Sequence, residues 1–287
     1  MNVDLHCHTN ISDNSESIEV VLTKARNVGI TYLAITNHDT TVGLNEAIEL
    51  GKSYGITVIP GIEISAEDRK RYGKAHILGL NIIPGHSALE KLCVSTITSR
   101  QQSSEYAIQQ IISAGYPISK DLVMNYAKQS TCIYKQHIMH ALMDLGIADS
   151  IHGDLYKKLF SGKSYEGSTV GIAFKPVTYV EVEAAIRAVR EAGGVPVIAH
   201  PGQLNNWDAI EDWVNIGLEG IEVWHPDHRE EDEERAIELA ERFQLVQTGG
   251  ADYHGKYGRP DYPLGCKLAN IASLEETLRR SKLIRTS

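Results

Sequence analysis

No stretch of this chain stays apolar for anything like the roughly 20 residues that a bilayer-spanning helix needs, so a soluble protein is expected. Cysteine is scarce: Cys7, Cys93, Cys132 and Cys266 lie far apart and form neither a CxxC pair nor a disulfide framework. No basic segment leading into an apolar core precedes the first strand, so no secretory signal is read and a reducing cytoplasm is the expected compartment. An excess of basic residues is missing too. With 28 Lys and Arg against 37 Asp and Glu, the net charge of -9 argues against a protein that coats nucleic acid. A phosphorylated substrate is not excluded, because three bound divalent cations would bring that balance to about -3. Aromatic residues are few, and Trp207 and Trp213, after the turn "HPGQLNNW", read as helix packing rather than a base-stacking platform.

What is present is an alternation of strand and helix patterns. Ile18, Val21, Leu22, Ala25 and Val28 recur at helical spacing and Gly29 follows where a helix would stop. "ITYLAIT" reads as a strand, then a helix through Leu44, Ala47, Ile48 and Leu50, then the strand "ITVIPGIEI". The rhythm resumes with a helix through Val182, Ala185, Ile186 and Val189, the strands "VPVIAH" and "EGIEVWH", a helix from about Glu230 to Phe243, and "LVQTGGADYH". Such alternation predicts a mostly parallel α/β sheet, with enough strands for closure into a barrel. Residues 85–167 break the rhythm with several helical patterns in a row and read as an insertion between barrel segments 1–84 and 168–287. The run "REEDEER" from Arg229 starts a helix, where acids favour the N-terminal dipole, and reads as a solvated face.

The opening segment "VDLHCHT" sets the functional question. Alternation on a strand places Val3, Leu5 and Cys7 on one face and Asp4, His6 and His8 on the other. A core strand needs an apolar face, but a second face of Asp, His and His points into a polar site. The same residue types recur along the chain: Asp13 in the next loop, His38 and Asp39 in "ITNHDT", Glu63 in "PGIEIS", His76 in "KAHILGL", His200 in "VPVIAHP", His225 in "IEVWHP", and Asp252 and His254 in "GADYHG". In a parallel barrel the C-terminal strand ends gather on the face that hosts the active site. A cluster of acids and imidazoles there is costly without cations, and these are ligand types for Zn, Mn or Fe. His6, His8, Asp13, His38, Glu63, His76, His200, Asp252 and His254 are too many for one ion and suit two or three. Paired ions about 3.5–4 Å apart stabilise attacking and leaving oxygens in phosphoryl displacement, so the residues point to a multinuclear metallohydrolase.

"DLHCHTNISD", "AITNHDT", "PGIEIS", "HILGL", "VIAHP" and "GADYHG" together resemble the motifs of the PHP (polymerase and histidinol phosphatase) superfamily of metal-dependent phosphoesterases. The resemblance implies a distorted (β/α)7 TIM-like barrel with a trinuclear centre of Mn, Fe or Zn. One ion would be held by His6, His8, Glu63 and Asp252, with Glu63 bridging to a second held by His76 and His200. Asp13, His38 and His254 would hold a third, and a metal-bridging hydroxide would be the nucleophile.

The position of the insertion is similar to that of the PHP subgroup acting on 3′,5′-nucleotide bisphosphates or short 5′-phosphorylated RNA. A small-metabolite phosphatase of the histidinol-phosphate type and a non-catalytic nucleotide- or metal-binding module are the alternatives. By resemblance, Arg100 occupies the place of an arginine-bearing helix that reaches phosphate. "YKQHIMHAL" keeps the subgroup's histidine as His137 but has Lys135 where the subgroup has arginine, a point charge in place of a planar fork. Asn37 stands where the family usually has Asp; an amide can orient a histidine but carries no charge. Asp39 or His225 would donate the proton to the leaving group, and His228 and Arg259 would meet phosphate. Neither a membrane nor long duplex nucleic acid is expected as a partner.

Overall fold

The computed structural model describes residues 1–70, 73–162 and 170–286. Among them are eight strands: β1 (Asn2–Asp4), β2 (Ile30–Ile35), β3 (Thr57–Asp68), β4 (Gly73–Leu80), β5 (Val180–Glu181), β6 (Val195–Ile198), β7 (Gly220–Trp224) and β8 (Val246–Gly249). The helices are α1 (Ile18–Asn27), α2 (Leu44–Tyr54), α3 (Ser87–Ser113), α4 (Lys120–Tyr126), α5 (Lys135–Asp144), α6 (Asp154–Phe160), α7 (Val182–Glu191), α8 (Pro201–Leu204), α9 (Ile210–Asn215), α10 (Glu230–Phe243) and α11 (Ile271–Ile284). Two compact units result, one of residues 1–94 with 179–287 and one of residues 95–178. The boundary expected between residues 167 and 168 lies outside the described residues.

The first unit carries the whole sheet, in the order β1-β2-β3-β4-β6-β7-β8, with β5 beside β3. β1–β2, β2–β3, β6–β7 and β7–β8 pair parallel, as strand–helix alternation requires. β4 departs from that pattern: it is antiparallel to both β3 and β6. Only four residues lie between Asp68 and Gly73, too few for the crossover that a parallel return would need. The two ends of the sheet are tied by single contacts instead of a ladder. Leu5 N–H donates to Gly249 O at 3.0 Å, His8 N–H to Tyr253 O at 3.1 Å and Asp252 N–H to His6 O at 2.9 Å, beside a parallel bridge between Cys7 and Tyr253. The barrel is distorted at this seam.

Local sequence accounts for the helices that brace the sheet. α1 begins at Ser17, whose hydroxyl accepts the Val20 N–H, and buries Ile18, Val21, Leu22 and Ala25. α7 buries Val182, Ala185, Ile186 and Val189 on one stripe. α10 starts with four acids in its first turn, where the helix dipole favours them. Beneath the polar site lies a core of Val3, Leu5, Ala34, Ile59, Leu78, Leu80, Val195, Val197 and Ala199, joined by Ala269 and Leu274. Alternation puts His76 on the same face of β4 as Leu78 and Leu80, so one strand face runs from core into site.

Candidate metal centre

Strand pairing brings the distant motifs together. An isolated parallel bridge joins His38 to Glu63, with Glu63 N–H donating to Asn37 O at 3.2 Å and Asp39 N–H to Glu63 O at 2.9 Å. The β3–β4 register sets Ser65 opposite His76, and Ala199 N–H donates to His76 O at 3.0 Å, which draws in His200. Because β4 runs antiparallel, His76 reaches the site from the first half of its strand, not from a C-terminal end. Asp39, His200 and Asp252 all have positive φ, at 57°, 27° and 47°. Such backbone is uncommon for these residue types and concentrates at functional sites.

The nine expected ligands converge. Glu63 divides the imidazoles between its two oxygens: Oε2 lies 3.3 Å from His6 Nε2, 3.1 Å from His8 Nε2 and 3.3 Å from His38 Nδ1. Oε1 lies 2.8 Å from His76 Nδ1 and 3.1 Å from His200 Nε2. Asp252 Oδ1 is 3.2 Å from both His6 Nε2 and His8 Nε2. Asp13 Oδ1 is 3.3 Å from His254 Nε2 and 3.5 Å from His8 Nδ1, and Asp13 Oδ2 is 3.9 Å from His38 Nε2. Ligand atoms close enough to hold an ion occur in four groups: His6, His8, Glu63 and Asp252; His8, Asp13, His38 and His254; His38, Glu63 and His76; and His6, Glu222 and His225. His6, His8, His38 and Glu63 thus each belong to two groups, and of these only the sharing of Glu63 was expected.

Hydrogen bonds behind the cluster fix which nitrogen faces inward. His6 Nδ1 donates to Glu222 Oε1 at 3.0 Å, and His8 Nδ1 faces Ser12 Oγ at 3.4 Å, whose hydroxyl donates to Asn37 Oδ1 at 3.0 Å. His254 Nδ1 donates to the Asp252 carbonyl at 2.8 Å. In these tautomers the Nε2 lone pairs point at one another and at carboxylates; His6 Nε2 and His8 Nε2 are only 3.3 Å apart. Acceptors facing acceptors need a proton or a cation between them. Buried His76 Nδ1, His200 Nδ1 and Asp252 Oδ1 make no hydrogen bond. Separations of 3.1–3.3 Å around His6, His8, Glu63 and Asp252 match the edge of about 3.3 Å expected for N and O ligands about 2.0–2.1 Å from a tetrahedral ion. The residues therefore fit divalent metal.

Without such ions, protons take part of the load. Burial opposes charge on His6, but Asp252, Glu222 and Glu63 together raise its pKa well above the ordinary value. His254 is likewise lifted to about 10 by Asp13 and Asp252 against its burial. His38 falls to about 4, because burial and the neighbouring His8 and His76 outweigh Glu63 and Asp13. Burial raises Glu63, Asp13 and Asp252, yet the surrounding imidazoles override it and hold all three below the usual carboxylate range. Metal binding would displace these protons.

The remaining expected site residues are less alike. His225 is buried beside the cluster: its Nδ1 accepts the Asp227 N–H at 3.1 Å and its Nε2 lies 3.3 Å from Asp252 Oδ2. Asp39 Oδ1 accepts the Ser65 N–H at 2.8 Å. Both ring nitrogens of His228 bond to the chain, Nδ1 donating to Val223 O at 2.7 Å and Nε2 accepting from Gly202 N–H at 3.1 Å. Exposed Arg259 meets Asp227 Oδ1 at 3.0 Å and lies over the Tyr262 ring. In the second unit, Arg100 stacks over Tyr134, Lys135 lies 5.4 Å from the Phe160 ring centre, and fully buried His137 accepts the Tyr134 N–H through Nδ1. Asn37 Oδ1 accepts from Thr9 N–H at 2.7 Å as well as from Ser12, so the amide organises the turn carrying Asp13. Sequence reasoning missed Glu222, although an acid between Ile221 and Val223 in an apolar strand was a legible signal.

Comparison with known proteins agrees with this geometry. Residues 4–166 match the model of the PHP domain. A phosphoribosyl 1,2-cyclic phosphate 1,2-diphosphodiesterase of Eggerthella lenta is 44% identical over 256 residues, covering 89% of this chain and 95% of that one. A 3′,5′-nucleoside bisphosphate phosphatase of Chromobacterium violaceum is 29% identical over 267 residues, 90% of each chain. The crystal structure of a Bifidobacterium adolescentis protein, described provisionally as a metal-dependent phosphoesterase, superposes with a TM-score of 0.85 at 30% identity, covering 96% of this chain and 95% of that one. No helix among the described residues is long and apolar enough to cross a membrane. The convergent His, Asp and Glu side chains, the sheet that delivers them and these matches together place the chain in the PHP family of metal-dependent phosphoesterases.

Proposed function

We propose that this chain hydrolyses a cyclic phosphodiester on a phosphorylated ribose, using two or three divalent ions. The observation carrying the metal chemistry is the division of Glu63, whose Oε2 faces His6, His8 and His38 while Oε1 faces His76 and His200. A carboxylate so placed suits the space between two ions. His6, His8 and Asp252 would complete one site, His76 and His200 the second, and Asp13, His38 and His254 a third. Bound there, Mn, Fe or Zn would supply Lewis acidity and activate water.

The chain's own groups have separable tasks in this reading. His225, whose Nδ1 accepts a backbone N–H, keeps its proton at Nε2 and is the better-placed donor to a leaving oxygen. The Asp39 carboxylate spends an oxygen on the Ser65 amide and is assigned to holding β3. Arg259, exposed and charged beside the His225 loop through Asp227, is assigned to substrate phosphate, and so are Arg100, Lys135 and His137 by resemblance. His228, with both nitrogens engaged, is assigned to packing instead.

The substrate rests on the similarity to the Eggerthella enzyme, which spans nearly all of that protein. This differs from the nucleotide bisphosphate or short 5′-phosphorylated RNA expected from the motifs. Incubation of Mn-loaded protein with phosphoribosyl 1,2-cyclic phosphate, adenosine 3′,5′-bisphosphate and a 5′-phosphorylated trinucleotide, read by ³¹P NMR, separates the readings. Fastest loss of the cyclic-phosphate resonance is expected; preferential release from either nucleotide substrate would return the assignment to the nucleotide subgroup.

A further inference from the structure

We infer that Glu222 is a positioning residue that sets the imidazole tautomer on one side of the metal centre and the backbone on the other. Its carboxylate is fully buried, projects from the middle of β7, and is matched on both oxygens. Oε1 accepts from His6 Nδ1 at 3.0 Å, and Oε2 accepts from the His200 backbone N–H at 2.8 Å. His6 faces the Asp252 side of Glu63, whereas His200 faces the opposite Glu63 oxygen. One carboxylate from a third strand thus holds a residue on each side of the split carboxylate.

Glu222 also stands among groups that could themselves hold an ion, with His6 and His225. Its geometry assigns it elsewhere. An oxygen receiving the His6 Nδ1 proton cannot share a cation with that nitrogen, and the other oxygen is taken by an amide proton. What the pairing does accomplish is to force the His6 lone pair onto Nε2, which faces Glu63, His8 and Asp252. A hydrogen-bonded carboxylate behind a ligating histidine fixes ring orientation and raises ligand basicity. At His200 the need is different. Its φ of 27° and ψ of 58° lie outside the broad allowed regions, and the Glu222 oxygen is the acceptor that holds its N–H in place.

The isosteric substitution Glu222→Gln isolates this role. An amide offers one acceptor oxygen where two are needed. Either its NH2 faces His6 Nδ1, driving the ring to the tautomer with a proton on Nε2, or it meets the His200 N–H as donor against donor. The inference rests on the metal centre of the proposed function and not on its substrate. Zn binding to metal-free wild-type and Glu222→Gln proteins is therefore measured by calorimetry with stoichiometry by mass spectrometry. Melting of both metal-free proteins and ¹⁵N-edited NMR of the imidazoles in the Zn-loaded forms accompany it. A 10- to 100-fold loss of Zn affinity is expected, with the His6 Nδ1–H signal displaced or lost and the metal-free melting temperature near that of wild type. Unchanged affinity and an unchanged His6 signal would overturn the inference, as would a metal-free protein that melts much lower while binding Zn as tightly as before. Failure of wild type itself to bind Zn overturns the metal centre, a result distinct from failure at Glu222. Glu222→Asp, which keeps two oxygens on a shorter stem, is expected to recover part of the affinity lost in Glu222→Gln; no recovery would count against a carboxylate-specific role.

Discussion

The unit of residues 1–94 and 179–287 and the unit of residues 95–178 treat buried polar groups in opposite ways. In the helical unit, several polar groups find partners one at a time. His137 Nδ1 accepts the Tyr134 N–H, Ser104 donates to Ile133 O, and Ser103 donates to Lys175 O. In the sheet-bearing unit, Glu63 alone faces five imidazole nitrogens, and the lone pairs of His6 and His8 face each other. Donors and acceptors pair individually in the first arrangement; the second crowds acceptors together, and they must share protons or bound cations. All four groups of potential metal ligands among the described residues lie in the sheet-bearing unit. A centre built for metal is recognisable by what it leaves unsatisfied.

The sharpest way to test that contrast is at Asp252, whose Oδ1 makes no hydrogen bond and lies 3.2 Å from two imidazole nitrogens. Asp252→Asn removes a charge from the centre without changing its volume. A fall in kcat/KM of at least about 10³-fold is expected, on the order of 4 kcal/mol of transition-state stabilisation, with the far-ultraviolet circular dichroism unchanged. Turnover equal to wild type would sink the assignment of the centre. A smaller effect distinguishes the layers beneath the two regions. Leu78 and Leu142 are both fully buried, and truncation of either to alanine should cost about 2–5 kcal/mol in urea unfolding. Only Leu78→Ala should also weaken metal binding, because Leu78 shares its strand face with His76; equal metal affinities in the two variants would break the link between core and centre. The smallest change is expected in the helical unit, at Lys135. Replacing this point charge by a guanidinium in Lys135→Arg should shift KM by up to about tenfold, about 1.4 kcal/mol, with kcat nearly constant, and identical steady-state kinetics would remove the residue from substrate binding.

The elements themselves were largely legible. The periodicity starting at Ile18 and the acid-led helix from Glu230 to Phe243 appear where the apolar spacing and helix signals put them, since both depend on neighbours within a few residues. The candidate ligands were legible for a related reason: His and carboxylate residues placed on successive strands have little other use there. β4 was not legible as an antiparallel strand, because "KAHILGL" has the same composition whichever way it runs, and direction follows from its pairing with β3. Nor did "GIEVW" alone reveal that Glu222 meets two partners from distant segments.

By itself the sequence determined which chemistry this protein has at hand: nine imidazole and carboxylate side chains, distributed over strands and the turns that follow them. It determined this because donor type and strand alternation are local properties. Only the tertiary structure decided how these ligands are shared. The parallel bridge between His38 and Glu63, the antiparallel return of β4 and the seam between Cys7 and Tyr253 set the distances. The hydrogen bonds from Glu222, Ser12 and the Asp252 carbonyl then chose the nitrogen that each of His6, His8 and His254 turns inward. The first of these joins residues 216 positions apart while the other two are local, and the energetics of all three depend on which lone pairs burial leaves facing one another, a property of the packed chain that no single segment carries.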